Sequence, residues 1–150
     1  MVQIKRILFP TEMREYSLKI LPYVLSTSKK YKSTICVLHV IEDISKWGGF
    51  YIPHIPLGMY QDAAMEAAEK FMDRFCKEQM KGGPEFERKI LFGDPAFEIL
   101  KAIDTEAIDL VMMGTHGRKG LEHVFFGSVA ENVVKKSPVP VLTINPYKVK

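Results

Sequence analysis

Three observations on the sequence predict a doubly wound, three-layer α/β sandwich. Short β-rich apolar runs alternate with longer segments of helical apolar spacing, in the order β-α-β-α-β-α-β-α-β. That alternation implies right-handed crossovers onto a parallel sheet. Runs such as Thr34 to Ile41 are almost continuously apolar, as strands covered on both faces are. No Gly/Ser linker, charge block or fixed-period repeat divides the 150 residues, so a single domain over residues 1–150 is expected, within the usual ~100–200 residues per domain.

Each element has its own signal. Ile4 to Phe9 is a compact apolar strand ending at Pro10, and Ser17 to Tyr31 is helical with Leu21, Val24 and Leu25 on one face. Pro22 is costly in a helix interior (~3 kcal/mol), so it is expected near the first turn or at a kink. Thr34 to Ile41 is the second strand. Asp62 to Met80 is the second helix, with Ala64, Ala68, Phe71, Met72 and Phe75 at helical spacing and Gly82-Gly83-Pro84 as its stop. Phe86 to Phe92 alternates apolar and charged residues and reads as a strand near a sheet edge. Asp94 is the expected N-cap, and Pro95 the first residue, of a third helix running through Thr105. Ile108 to Met113, Gly127 to Lys136 and Val139 to Ile144 supply the fourth strand, the last helix and the fifth strand. Between the second strand and helix, Glu42 to Tyr60 holds Trp47, Phe50, Tyr51 and Tyr60 among glycines and prolines. A connection of that length reads either as a cap over the sheet edge or the second helix, or as a lid or partner-binding loop.

Composition narrows the function classes. The chain is 47% hydrophobic and 26% charged, close to the soluble globular average. No apolar run approaches the ~18 residues that a membrane crossing needs. The first residues, Met1 to Arg6, lack a signal-peptide core, so a cytoplasmic location is expected. A net charge of +3 is too mild and dispersed for a nucleic-acid surface. Cys36 and Cys76 form neither a disulfide framework nor a metal pattern, and the four histidines show no metal spacing.

In a doubly wound sheet, ligands lodge beyond the carboxyl ends of strands, where the strand order reverses. After the first strand comes Pro10-Thr11-Glu12, without the glycines of a dinucleotide fingerprint, and no P-loop occurs anywhere. The third strand ends at Phe92-Gly93-Asp94-Pro95, a helix start rather than a phospho-acceptor aspartate. The fourth strand runs into Gly114-Thr115-His116-Gly117-Arg118-Lys119-Gly120, and Gly127-Ser128 then opens a helix. Glycines let backbone approach a ligand closely. Loop N–H groups and a helix N-terminus favour an anion. Each dipole or charge contact adds only ~0.3–1 kcal/mol, whereas a micromolar ligand needs ~8 kcal/mol. A phosphate grip must therefore be joined by a grip on a nucleoside.

Gly114, two residues, Gly117, nine residues, Gly127 and Ser128 match the G-x2-G-x9-G-[S/T] signature of ATP-binding universal stress proteins. The chain resembles that family over essentially its whole length. Ile7-Leu8-Phe9-Pro10-Thr11 is similar to its first strand, Leu38-His39-Val40-Ile41 to its second and Pro138 to Leu142 to its closing strand. The resemblance implies a three-layer α/β/α sandwich of the adenine nucleotide α-hydrolase-like kind, with a five-stranded parallel sheet ordered 3-2-1-4-5. It implies ATP between strands one and four: Pro10 and Thr11 flanking the nucleoside, Val40 meeting adenine through its backbone, Gly114 to Gly120 wrapping ribose and phosphates, and Ser128, Val129 and Ala130 holding the phosphates. It also implies a homodimer through Val139 to Ile144, and an exposed edge strand does need a partner or a cover. The family's aspartate after the first strand is Glu12 here, one methylene longer and still able to reach ribose hydroxyls or a phosphate-bound Mg²⁺.

Several of these residues have a plainer reading. His116 lines the ligand or faces solvent from its loop. His39, inside an apolar strand, is expected to be a satisfied structural histidine. Met113 is core by default and touches the ligand by position alone. Arg118 and Lys119 reach phosphates or are merely solvated, and Glu12 is a ligand carboxylate or a helix-entry charge. No activated nucleophile, Ser-His-Asp arrangement or pair of carboxylates placed for acid–base work is visible. The expectation is a nucleotide-binding regulatory protein, read by an unidentified protein partner, with slow or absent ATP turnover. A nucleotide-independent interaction module and a slow phosphohydrolase are the alternatives.

Overall fold

The computed structural model describes residues 1–43, 56–116 and 126–150. The elements are β1 (Arg6–Pro10), α1 (Glu15–Tyr31), β2 (Thr34–Glu42), α2 (Leu57–Gln79), β3 (Phe86–Gly93), α3 (Pro95–Thr105), β4 (Leu110–Gly114), α4 (Ser128–Lys136) and β5 (Val141–Ile144). All strand pairs are parallel and the five strands run in the order β3-β2-β1-β4-β5. The expected architecture is therefore present, including β3 at an edge.

Strand alternation divides the core into two layers. Ile7, Phe9, Ile35 and Val37 face α1 and α2, where Ile20, Val24, Met72 and Phe75 close over them. Leu8, Cys36, Leu38, Val111 and Met113 face the opposite way, against Ile99, Ile103, Ala130 and Val133 of α3 and α4. The chain builds outward from β1 through β2 to β3, then returns past β1 to lay down β4 and β5. The strand order thus reverses between β1 and β4.

Several boundaries differ from those read in the sequence. The first strand begins at Arg6 because the amides of Lys5 and Arg6 donate to the Asp109 carboxylate, at 2.7 and 3.0 Å, before the ladder starts. The same carboxylate delays β4, leaving Ile108 buried ahead of the strand. Helix α2 starts at Leu57, five residues before Asp62, because the Pro56 carbonyl accepts from the amides of Met59 and Tyr60. Gly58 and the flanking prolines concealed that start. Of the long connection, residues 44–55, with Trp47, Phe50 and Tyr51, lie outside the described residues. Helix α1 begins at Glu15, so Pro22 sits in its interior and not in its first turn. Pro22 is exposed, and so is Leu18, whose carbonyl is the one left without its usual donor and can bond water. Strand β5 begins at Val141, because Ser137 and Val139 form a local turn through the Ser137 hydroxyl. Helix α3 starts as expected, with the Asp94 carboxylate accepting from Phe97 N–H at 2.8 Å and Pro95 in the first turn.

Candidate functional site

The backbone pattern opens a crevice at the carboxyl end of β1. Successive residues of a parallel strand turn their backbone polar groups to opposite neighbours. Thr11 N–H donates to Leu38 C=O at 2.8 Å, so Thr11 and Leu38 face each other across β1 and β2. Arg6 C=O accepts from Asp109, so Pro10, four residues on, faces β4. Proline has no N–H to contribute there. The β1–β4 register accordingly covers two pairs, Ile7↔Leu110 and Leu8↔Val111, whereas β1–β2 pairs from Arg6↔Thr34 to Pro10↔Leu38. The strands part earliest at the point where the sheet order reverses, which is where a ligand site belongs in this architecture.

Val40 supplies one wall. It lies two residues beyond Leu38, so its N–H and C=O point to the same side, past the last β1 rung. Its side chain packs against the α3/α4 layer. Val40 is not the last residue of β2, which continues through Ile41↔Phe92 and Glu42↔Gly93. What leaves its polar groups open toward β1 is the end of β1, not of β2.

The turn after β1 is tightly held. Thr11 is buried, its hydroxyl accepts from Met13 N–H at 2.9 Å, and Met13 adopts a left-handed φ of 56°. His39 Nδ1 lies 2.9 Å from the Thr11 carbonyl. A carbonyl only accepts, so Nδ1 carries the hydrogen. His39 is thus the satisfied histidine expected of it, and its partner is the backbone of a candidate site residue. Glu12 is half-buried beside this turn.

The opposite wall is the split glycine segment. Val111 and Thr115 direct their amides to β5, donating to Pro140 C=O at 3.0 Å and Ile144 C=O at 2.9 Å, so Gly114 faces β1. A Cβ on Gly114 would lie 2.7 Å from Ile20 Cδ1 and 3.1 Å from the His116 carbonyl, so a side chain there requires both neighbours to shift. Gly127 N–H donates to Thr115 C=O at 2.7 Å. That bond clasps the two ends of the segment together. Gly117, Arg118, Lys119 and Gly120 lie between them, outside the described residues.

Gly127 is also the N-cap of α4 and offers no side-chain oxygen to its first turn. The amides of Ser128, Val129 and Ala130 open that helix at the carboxyl end of the sheet. Ser128 is exposed, while Val129 packs on the core and Ala130 is buried in it. The last two can therefore meet a ligand only through backbone. Such a helix start is suited to a phosphate. Met113 is core, buried against α3 and α4.

His116 is 6% exposed, which removes the solvent-facing reading. Its Nδ1 and the Thr115 hydroxyl share a hydrogen bond of 2.7 Å, and its ring meets Tyr147 edge-on at 5.3 Å. The turn after β5 thus braces the base of the glycine segment. No motif spacing marks Tyr147, Ile144 or Met13 as supports of the site. Among the described residues no group of three or more His, Cys, Asp or Glu could hold a metal ion, and no helix is long and apolar enough to cross a membrane.

The chain is similar to known proteins in sequence and in fold. The model of the universal stress protein family matches residues 3–145. Universal stress protein MJ0577 of Methanocaldococcus jannaschii is 31% identical over 95% of this chain and 96% of its own length. Its solved structure superposes with a TM-score of 0.82 at 32% identity, covering 96% of this chain and 97% of that one. A universal stress protein in complex with cAMP shares the fold at a TM-score of 0.61 and 16% identity, covering 97% of this chain and 99% of that one. The Archaeoglobus fulgidus protein in complex with dAMP does so at 0.60 and 18%, covering 97% and 100%.

Proposed function

The chain belongs to the universal stress protein family, and from that premise we propose that it binds an adenine nucleotide, ATP foremost, and acts as a homodimeric, nucleotide-dependent stress-response regulator in the cytoplasm. The observation that carries the reading is the pairing of two backbone features at one end of the sheet. Val40's polar groups are turned past the end of β1, and α4 begins at a glycine clasped to Thr115. One suits the edge of a base and the other a phosphate. Two proteins of the same fold were solved with cAMP and with dAMP, which supports an adenine nucleotide as the ligand class.

In this reading, Pro10, Thr11 and Glu12 border the nucleoside, Met113 and Gly114 to Gly120 follow ribose and phosphates, and Gly127 to Ala130 close on the phosphate end. Arg118 and Lys119 contribute charge, and any Mg²⁺ arrives with the phosphates and is met by Glu12. Hydrolysis is slow or absent in this reading, in which the hydroxyl–imidazole contact of Thr115 and His116 is a buried brace at the base of the glycine segment. The edge of β5 joins two copies, and a protein partner reads the occupied state. Two buried cysteines that form no disulfide suit a reducing compartment.

Isothermal titration with ATP, on the wild type and on Gly127→Val, tests the site. Gly127 has an ordinary φ of −66°, so valine adds bulk at the helix start without demanding a left-handed backbone. Measurable ATP heat in the wild type that is lost in the variant is the expected result. Equal heats dismiss the site, and no heat in either favours a nucleotide-independent module. Multiple-turnover phosphate release abolished by Ser128→Ala would instead establish a phosphohydrolase.

A further inference from the structure

In a continuing parallel ladder, the Thr11 carbonyl would accept its next hydrogen bond from Val40 N–H. Thr11 already donates to Leu38 C=O, and Val40 is the next residue of β2 turned toward β1. That rung is not formed: the β1–β2 register ends at Pro10↔Leu38. The Thr11 carbonyl is taken instead by His39 Nδ1–H at 2.9 Å. A side chain stands where a backbone donor would at the first carbonyl past the end of the strand facing β2.

We propose that His39 is a positioning residue for the nucleobase: by occupying the Thr11 carbonyl it keeps Val40 N–H out of the β1 ladder and presents it to the ligand. The role rests on the nucleotide-site reading above. His39 does not itself line the crevice. Val40 packs into the α3/α4 layer, and His39, one residue earlier in the strand, projects on the other face. It acts through Thr11, whose hydroxyl simultaneously holds Met13 N–H in the left-handed turn. Without the imidazole, the shortest way to satisfy this part-buried carbonyl is to extend β1 by one rung, which consumes the donor meant for the base.

This makes an unusual prediction, because removing a hydrogen bond should protect a neighbouring amide. In ligand-free protein, hydrogen exchange of Val40 N–H is expected to slow in His39→Leu, whereas a merely structural histidine would leave it unchanged or faster. ATP affinity should fall roughly three- to ten-fold, the worth of one hydrogen bond. His39→Asn, whose amide nitrogen stands near the Nδ1 position, should restore both readouts, while His39→Gln, with its donor displaced, should not. The Asn and Gln pair keeps the test intact where leucine prevents folding. Unchanged or faster Val40 exchange in a folded leucine variant or in the glutamine variant overturns the proposal, as does wild-type ATP affinity in either one or failure of asparagine to rescue. A wild type that binds no ATP overturns the nucleotide reading, yet the exchange measurement on free protein still decides what His39 does to Val40.

Discussion

At the scale of single residues, Gly114 shows why the motif glycines are not interchangeable. Its place is set less by φ than by proximity, since Ile20 of α1 stands where a side chain would begin. Ile20 is itself buried and cannot swing into solvent. Gly114→Ala should therefore cost about 1–3 kcal/mol, as overpacking of a tight core does. Ile20→Val removes the offending Cδ1, so the double variant should be more stable than the sum of the two single changes. Denaturant melts arranged as a double-mutant cycle measure that coupling. A purely additive result would place the role of Gly114 elsewhere. Cys36 makes the contrary point: burial pushes its thiol from an ordinary 9.0 to about 11, helped by the nearby Glu106, so it stays protonated and unreactive at neutral pH. Its position within β2 reads as packing in both sequence and structure.

Among the elements, the strands are braced at their amino ends by a charged row that crosses the α3/α4 face. Arg6 of β1 reaches over β2 to Glu87 of β3 with two bonds, 3.2 and 2.7 Å, and its Nε donates to the Glu106 carbonyl at 2.7 Å. Lys89 pairs with the Glu106 carboxylate. The hydrogen bond from Arg6 holds the Glu87 carboxyl below its usual range. A depressed carboxyl stabilises the fold above its unfolded pKa, and that stability is lost as pH falls through the folded value. Glu87 is half exposed, so the gain is under about 1 kcal/mol. Glu87→Gln should lower neutral-pH stability by that amount and match the wild type once acid has protonated the carboxyl. A difference that persists in strong acid would show that packing, not charge, is involved. The elements themselves were largely legible in sequence, because caps such as Asp94-Pro95 and continuous apolar runs are local signals. The displaced boundaries were not. Asp109 captures the amides of Lys5, just before β1, and Arg6, its first residue, from 104 and 103 positions away, and no short window on the sequence contains both ends. The site was legible in the same uneven way. The glycine spacing is local, but the release of Val40 depends on where another strand stops and on a side chain from the opposite face.

For the whole molecule, assembly turns on the β5 edge. Ile144 and Pro140 direct their carbonyls to β4, so the alternate residues Val141 and Thr143 turn N–H and C=O outward. Leu142, at 42% exposure, adds apolar surface to this edge. Among the described residues no strand pairs with this edge; such a strand is a template for pairing, and a two-fold axis lets one strand pair with its own copy. Under the proposed homodimer, every defect introduced at the edge counts twice. Thr143→Pro deletes one outward donor per copy, at ~0.5–1.5 kcal/mol each, so the dimer should weaken roughly five- to 150-fold. The fold should survive, because proline is tolerated where a strand's N–H faces away from its sheet. Sedimentation velocity across a dilution series, with circular dichroism as the control, reads both effects. A wild type that stays monomeric at every concentration, or a proline variant that dimerises as tightly as the wild type, would move the interface away from β5.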